Sequence, residues 1–206
     1  MKKSFRWRRV LAIVIVAFIA MLAVREIRQR LSVSDAIPTS GGMELNVRID
    51  VEPYLQFDPR WKTKELGSSG AQIGLYGCTL CATAMALSSQ GFAIDPIELN
   101  DRLNEKQGFT EYGLIIWKSV DAVSEEEFQV VIPRRPTHEI IDNQLAKNNP
   151  LIAKVLYQNT IFHWVLITGK LGEEYLIHDP LGDGSSHEKM TEYPSGIYAL
   201  RYLQRR

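Results

Sequence analysis

Cys78 is the residue of this chain best placed to act as a nucleophile. It lies where a glycine-rich segment, residues 67–77 (GSSGAQIGLYG), changes into an apolar run (CTLCATAMALSSQ). This pattern predicts a loop that leads into a buried helix, with the thiol at the helix N-terminus. The partial positive charge and free N–H groups there lower the pKa of a thiol and can stabilise an oxyanion. The alternative interpretation is a small buried helix residue.

His163 and Asp179 form a second candidate pair. They lie in the runs FHWVLITG and EYLIHD, which predict two strands joined at residues 170–172. Because residue 171 is the midpoint between them, an antiparallel hairpin places the two side chains nearly opposite each other on one face. A carboxylate that orients an imidazole in this way gives a general base with a fixed tautomer. Taken singly, each also has a structural interpretation, as a strand histidine and as a turn residue before Pro180.

The elements that must position these residues change character along the chain. Before Pro150 the sequence predicts helices after Cys78, from Asp95 to about residue 106, within residues 114–123 and over residues 137–147. After Pro150 the short runs LIAKVLY, FHWVLITG, EYLIHD and GIYALRYL predict strands. We therefore expect an α+β fold in which a helical lobe is followed by an antiparallel sheet.

Several motifs in this order resemble a known family, the double-glycine leader (bacteriocin-processing-type) peptidases and their stand-alone relatives among the papain-like cysteine peptidases. The motifs are LQFDPRW, IGLYGC, CTLCATAMAL, NPLIAKV, HWVLITG and LIHDP, and together they extend over most of residues 51–206. The resemblance implies a papain-like fold with Cys78 as nucleophile, His163 as base and Asp179 as the third member. It implies peptide substrates and no cofactor or metal.

The resemblance also suggests an oxyanion donor, and two glutamines compete for that role. Gln56, in LQFDPRW, is the first candidate, and Gln72, closer to the cysteine, is the second. A side-chain NH2 group can donate a hydrogen bond to the charge that develops on a tetrahedral intermediate.

The N-terminus carries a membrane signal. Residues 10–24 (VLAIVIVAFIAMLAV) are apolar and follow a flank with five basic residues. The run is shorter than the roughly 20 residues that span a bilayer, so a cleaved signal peptide is an alternative, but no small-x-small cleavage site follows it. We expect residues 1–30 to form a transmembrane anchor, residues 31–50 a linker and residues 51–206 the peptidase domain. The basic flank places the N-terminus in the cytoplasm and the domain outside it.

Composition and spacing leave two other functional classes to consider. Lys plus Arg and Asp plus Glu number 24 each, so no net charge attracts the chain to nucleic acid. Cys78 and Cys81 form a C-x-x-C pair, which dithiol oxidoreductases use, but no strand–helix–strand pattern surrounds it and no further ligands for zinc stand nearby. A reversible disulfide between Cys78 and Cys81 would block the nucleophile until it is reduced. The alternative interpretation is that Cys81 is a small buried packing residue. The remaining alternative is an inactive module of the same fold that binds peptide or cell-wall fragments.

Overall fold

The computed structural model describes residues 36–185 and 188–206, and residues 37–206 form one compact unit. In these residues the helices are α1 (Ile73–Tyr76), α2 (Cys78–Ser89), α3 (Pro96–Glu105), α4 (Trp117–Val123) and α5 (His138–Leu145), with a single 3-10 turn at Met190–Glu192. The strands are β1 (Ser40–Arg48), β2 (Phe128–Val131), β3 (Leu151–Tyr157), β4 (Ile161–His178), β5 (Glu188–Lys189) and β6 (Ala199–Arg205).

The strands form one antiparallel sheet with the order β1-β4-β3-β6-β2, and β5 pairs with β4 outside this path. Strands β3 and β4 make a hairpin in which Val155 pairs with His163 and Tyr157 with Ile161. Helix α2 packs on β3 and β4. It is apolar on all sides, and Leu80 to Leu87 are buried, so it forms the centre of the core. This confirms the mixed α+β composition.

Local sequence signals explain the ends of two helices. The Asp95 side chain accepts a hydrogen bond of 2.8 Å from the Glu98 N–H at the start of α3, and Pro96 occupies the first helical position, where its missing N–H costs nothing. The Thr137 hydroxyl accepts in the same way from Ile140 N–H, at 3.2 Å, at the start of α5. Both helices begin where the sequence predicts.

The structure differs from the expected order of helices first and strands second. Strand β1 lies within residues 31–50, the expected linker, and β2 lies between α4 and α5. The alternation of apolar and polar residues in MELNVRI is a strand pattern, but the glycines and polar residues before it resemble a tether. β2 has only four residues, too few to show a period.

A buried polar cluster attaches β1 to the rest of the domain. Lys170 Nζ on β4 donates to Asp142 Oδ1 at 2.6 Å and to the Gly41 carbonyl at 2.7 Å. The other carboxylate oxygen of Asp142 accepts from Met43 N–H at 2.7 Å, and Tyr175 Oη donates to Asp142 Oδ1 at 3.3 Å. Lys170 and Asp142 are 0% and 1% exposed, so this ion pair is sealed from water.

Strand β4 must reverse direction within its own length. Sixteen extended residues would separate His163 from Asp179 by roughly 50 Å, yet their side chains meet. Gly172, with φ +61°, lies next to the midpoint predicted for the turn. The residues of this turn remain part of the sheet, since residues 169–172 pair with β1.

The expected transmembrane segment, residues 1–30, lies outside the described residues. None of the helices in residues 36–185 and 188–206 is long and apolar enough to cross a membrane.

Candidate active site

Cys78 is the first residue of helix α2, as predicted, and is partly exposed. The residue before it, Gly77, must be glycine for steric reasons. A Cβ atom there would lie 2.5 Å from the Ile73 carbonyl oxygen and 2.6 Å from Ile73 Cγ2. The N-cap position therefore has no side chain to cover the first turn of the helix. The first amides of α2 are therefore left without a side-chain cap.

His163 and Asp179 lie side by side, although 16 residues separate them in sequence. His163 Nε2 is 2.6 Å from Asp179 Oδ1. His163 is 2% exposed and Asp179 is 11% exposed, so water screens this contact weakly. His163 also lies close enough to Cys78 for each group to shift the pKa of the other. Because Nε2 is occupied by Asp179, Nδ1 is the ring nitrogen left to exchange a proton with the thiol.

The pKa values of the three groups shift in the directions that favour an ion pair. Burial raises the pKa of Cys78, but the hydrogen bond to His163 and its positive charge outweigh this and bring the pKa below its usual value. Burial lowers the pKa of His163, but the hydrogen bonds to Asp179 and Cys78 raise it to about 9. The pKa of Asp179 is lowered because His163 overcomes the opposing effect of burial. These shifts favour a thiolate beside an imidazolium over a thiol beside a neutral imidazole.

Comparison with known proteins identifies the family of the chain. The model of the Peptidase_C39 like family matches residues 48–206, which include all three groups. The chain belongs to the Peptidase_C39 like family. Membership supports a papain-like cysteine peptidase and confirms the resemblance inferred from the motifs.

One solved structure that matches the chain is a crystal structure from Bacillus anthracis that is provisionally assigned as a C39-like peptidase. It is 16% identical, with a TM-score of 0.45, over 76% of this chain and 99% of that one. Because the TM-score is below 0.5, this match adds nothing to the family assignment. No curated protein matches the chain.

Of the two glutamines considered as oxyanion donors in this C39-like chain, the structure brings Gln56 to the site. Its backbone N–H donates to the carbonyl of Pro180, next to Asp179, at 2.9 Å. Its side-chain Nε2 donates to the carbonyl of Gly74, in the short helix just before Cys78, also at 2.9 Å. Gln56 is 3% exposed. Gln72 is exposed, and its side chain does not cap α1.

The loop that carries Gln56 is fixed by the packed turn that follows it. Trp61 is fully buried, and its indole Nε1 donates to the carbonyl of Leu55 at 2.7 Å. The Asp58 N–H also donates to that carbonyl, at 3.1 Å. Residues on both sides of Gln56 are therefore held in place, which limits how far its amide can move.

Two partners of Asp179 were not predicted from the sequence. Tyr193 Oη donates to Asp179 Oδ2, and the tyrosine ring lies 5.9 Å from the imidazole of His163. The Glu188 carboxylate accepts from the backbone N–H of Asp179 at 2.8 Å and of Asp183 at 3.2 Å. Tyr193 thus orients the carboxylate, and Glu188 fixes the loop that bears it. Neither residue lies in a motif of recognisable spacing.

Cys81 differs from Cys78 in access to solvent. It is fully buried, and burial and the nearby charge of Cys78 raise its pKa. Both cysteines are free thiols. A buried thiol with a raised pKa is chemically inert, so these properties favour the packing interpretation of Cys81. Among the described residues, no group of three or more His, Cys, Asp or Glu side chains could hold a metal ion.

Proposed function

We propose that the chain is a cysteine peptidase that cleaves peptide substrates through Cys78, His163 and Asp179. The observation that carries this proposal is the position of His163. Its Nε2 lies 2.6 Å from Asp179 Oδ1, and the ring is close enough to Cys78 for each group to shift the pKa of the other. A bridging imidazole of this kind converts a thiol into a nucleophile and keeps a proton ready for the leaving group.

In the first half of the reaction the Cys78 thiolate attacks the carbonyl carbon of the scissile peptide bond. The C–N bond of the tetrahedral intermediate then breaks as His163 gives its proton to the departing amine, leaving an acyl-enzyme. In the second half neutral His163 takes a proton from water, which attacks the thioester and releases the acid. Asp179 keeps the ring oriented throughout and stabilises its charged form.

The oxyanion of each intermediate needs donors that are already in place. The Cys78 amide at the start of α2 is one candidate, because the helix is not capped there by a side chain. The second is Gln56, whose Nε2 has two hydrogens and uses one for Gly74. Removal of one such donor typically costs about a hundredfold or more in rate, so Gln56→Ala should lose at least this much.

Covalent labelling tests the proposal directly. The full-length chain, in detergent, is treated with iodoacetamide and with a library of peptidyl electrophiles, and the modified residue is found by mass spectrometry. We expect fast labelling of Cys78 at neutral and slightly acidic pH, no labelling of buried Cys81, and loss of peptide hydrolysis in parallel. Slow labelling without hydrolysis of any peptide would instead indicate an inactive binding module.

We also propose that residues 1–30 anchor the enzyme in the cell membrane, with the catalytic domain outside the cytoplasm. The support comes from the basic flank and the apolar run of residues 10–24. Membranes washed with carbonate should retain the chain. Recovery of only a soluble form that begins near Arg25 would show that the segment is a cleaved signal peptide.

A further inference from the structure

The hairpin that carries His163 ends in an exposed apolar pair. Tyr157 is the last residue of β3 and pairs with Ile161, the first residue of β4. The three-residue turn between them includes Gln158 and Asn159 with φ of +49° and +57°, a conformation that fixes the register of the hairpin. Tyr157 is 37% exposed and Ile161 is 60% exposed. Neither side chain belongs to the hydrophobic core.

This pair lies on the catalytic face of the hairpin. Side chains two residues apart on a strand point to the same face, so Ile161 shares a face with His163, and Tyr157 shares it with Val155, the partner of His163. The ring of Tyr157 lies 6.1 Å from the imidazole. Phe162, between Ile161 and His163, points to the opposite face, where Lys154 Nζ lies 3.5 Å from its ring.

The chemistry decides which part of a substrate meets this surface. His163 must protonate the leaving nitrogen, so that nitrogen must come within hydrogen-bonding distance, about 3 Å, of the imidazole. The first residue after the scissile bond is attached to that nitrogen by one bond of about 1.5 Å. Its side chain therefore falls within reach of Tyr157 and Ile161, whereas the acyl part lies towards α2 and Gln56.

We propose that Tyr157 and Ile161 form a subsite that selects an apolar residue immediately after the scissile bond. This inference rests on the proposed peptidase function and specifies its substrate class. Two exposed apolar side chains from paired strands form a surface whose contact with water is unfavourable. A branched or aromatic substrate side chain that packs on this surface removes part of that contact. Apart from His163 itself, the described residues of the hairpin place no charged side chain on this face that could bind a polar substrate residue.

The test is cleavage of a peptide pool by the full-length enzyme, with new N-termini read by mass spectrometry. The wild type should favour Leu, Ile, Val, Met and Phe over Gly, Ser and Asp as the new N-terminal residue by about tenfold. Ile161→Ser and Tyr157→Ser should each reduce this preference to about threefold or less, while labelling of Cys78 by iodoacetamide keeps its rate in Ile161→Ser.

Ile132→Ser is the matched control. Ile132 is the same residue type and 52% exposed, but it follows β2 at the far edge of the sheet. This variant should keep the wild-type preference. The same loss of preference in Ile132→Ser as in Ile161→Ser would overturn the assignment.

The outcomes also separate this subsite from the peptidase activity itself. No cleavage of any peptide would overturn the proposed function and the subsite with it, whereas cleavage without apolar preference would overturn the subsite alone. An apolar preference unchanged in Ile161→Ser would also overturn it, and would assign the patch to another occupant. Light scattering of the solubilised chain then tests a second copy as that occupant, because a smaller mass for Ile161→Ser than for the wild type would indicate one.

Discussion

Strand β4 contributes a cation to two clusters of the same composition that serve different purposes. At one cluster His163 meets Asp179, whose carboxylate accepts from Tyr193. At the other Lys170 meets Asp142, whose carboxylate accepts from Tyr175. Each therefore joins a basic residue of β4, an aspartate and a tyrosine hydroxyl.

The two clusters differ in what the cation can do and in what it can reach. Lys170 is sealed and is held by the Gly41 carbonyl as well as by Asp142, so its contacts fix β1 in place. His163 can gain and lose a proton, and it lies beside the partly exposed Cys78, whose pKa it lowers. A buried ion pair therefore becomes a reactive centre only when its cation can gain and lose a proton and also lies beside a nucleophile.

The largest effect should come from the nucleophile. Cys78→Ala and His163→Ala should each lower kcat/KM by roughly 10⁴-fold or more, and the double variant should be no worse, because the residues act as a unit. Progress curves on a cleaved peptide measure this. Cys81→Ala is the control and should retain activity; substantial hydrolysis by Cys78→Ala would remove the mechanism.

At the sealed cluster the expected loss is in stability. Asp142→Ala leaves Lys170 buried without its counter-charge and should reduce the free energy of unfolding by about 3–5 kcal/mol. Urea unfolding measures this, and the labelling rate of Cys78 should stay within a factor of about two under folded conditions. As a control, Glu98→Ala removes an exposed pair with Arg102 and should cost less than about 1 kcal/mol. Equal losses in the two variants would mean that burial of the Lys170 pair has no energetic consequence.

The two tyrosines sharpen the comparison. Tyr193→Phe should lower kcat/KM by about tenfold, since a hydrogen bond to a charged group is worth about 1.5–3 kcal/mol and part of it orients Asp179. Tyr175→Phe should leave kcat/KM unchanged and lower stability by a similar free energy. Parallel kinetics and urea unfolding of both variants measure these effects, and a reversed pattern would contradict the division of roles.

Of the predicted effects, the changes in activity with pH are the smallest near neutral pH. The pKa of Cys78 is lowered, so activity should rise at a pH below the usual thiol range as the thiolate forms. The pKa of His163 is raised to about 9, so the imidazolium that protonates the leaving amine persists up to that pH and activity should fall above it. Thiolate absorbance and kcat/KM against pH measure both limbs. An alkaline limb near the unperturbed histidine value, about 6.5, would show that Asp179 does not hold the charge.

Local sequence signals predicted several elements well. The helix after Cys78 and the Asp95 cap were predicted because their signals lie within a few residues of one another. The meeting of His163 with Asp179 was predicted from the symmetry of one turn. Strands β1 and β2 were missed because a short or glycine-preceded strand takes its stability from its neighbours, here β4 and β6.

The sequence by itself determined the chemical groups and their local settings: a thiol at a helix start, a histidine on a strand and an aspartate after the next run. Tertiary structure alone decided that Gln56 rather than Gln72 reaches the site, that Tyr193 and Glu188 hold Asp179, and that Cys81 is sealed. The physical reason is distance along the chain. Hydrogen bonds between residues far apart in sequence depend on packing, and packing leaves no periodic signal in the residues that it brings together.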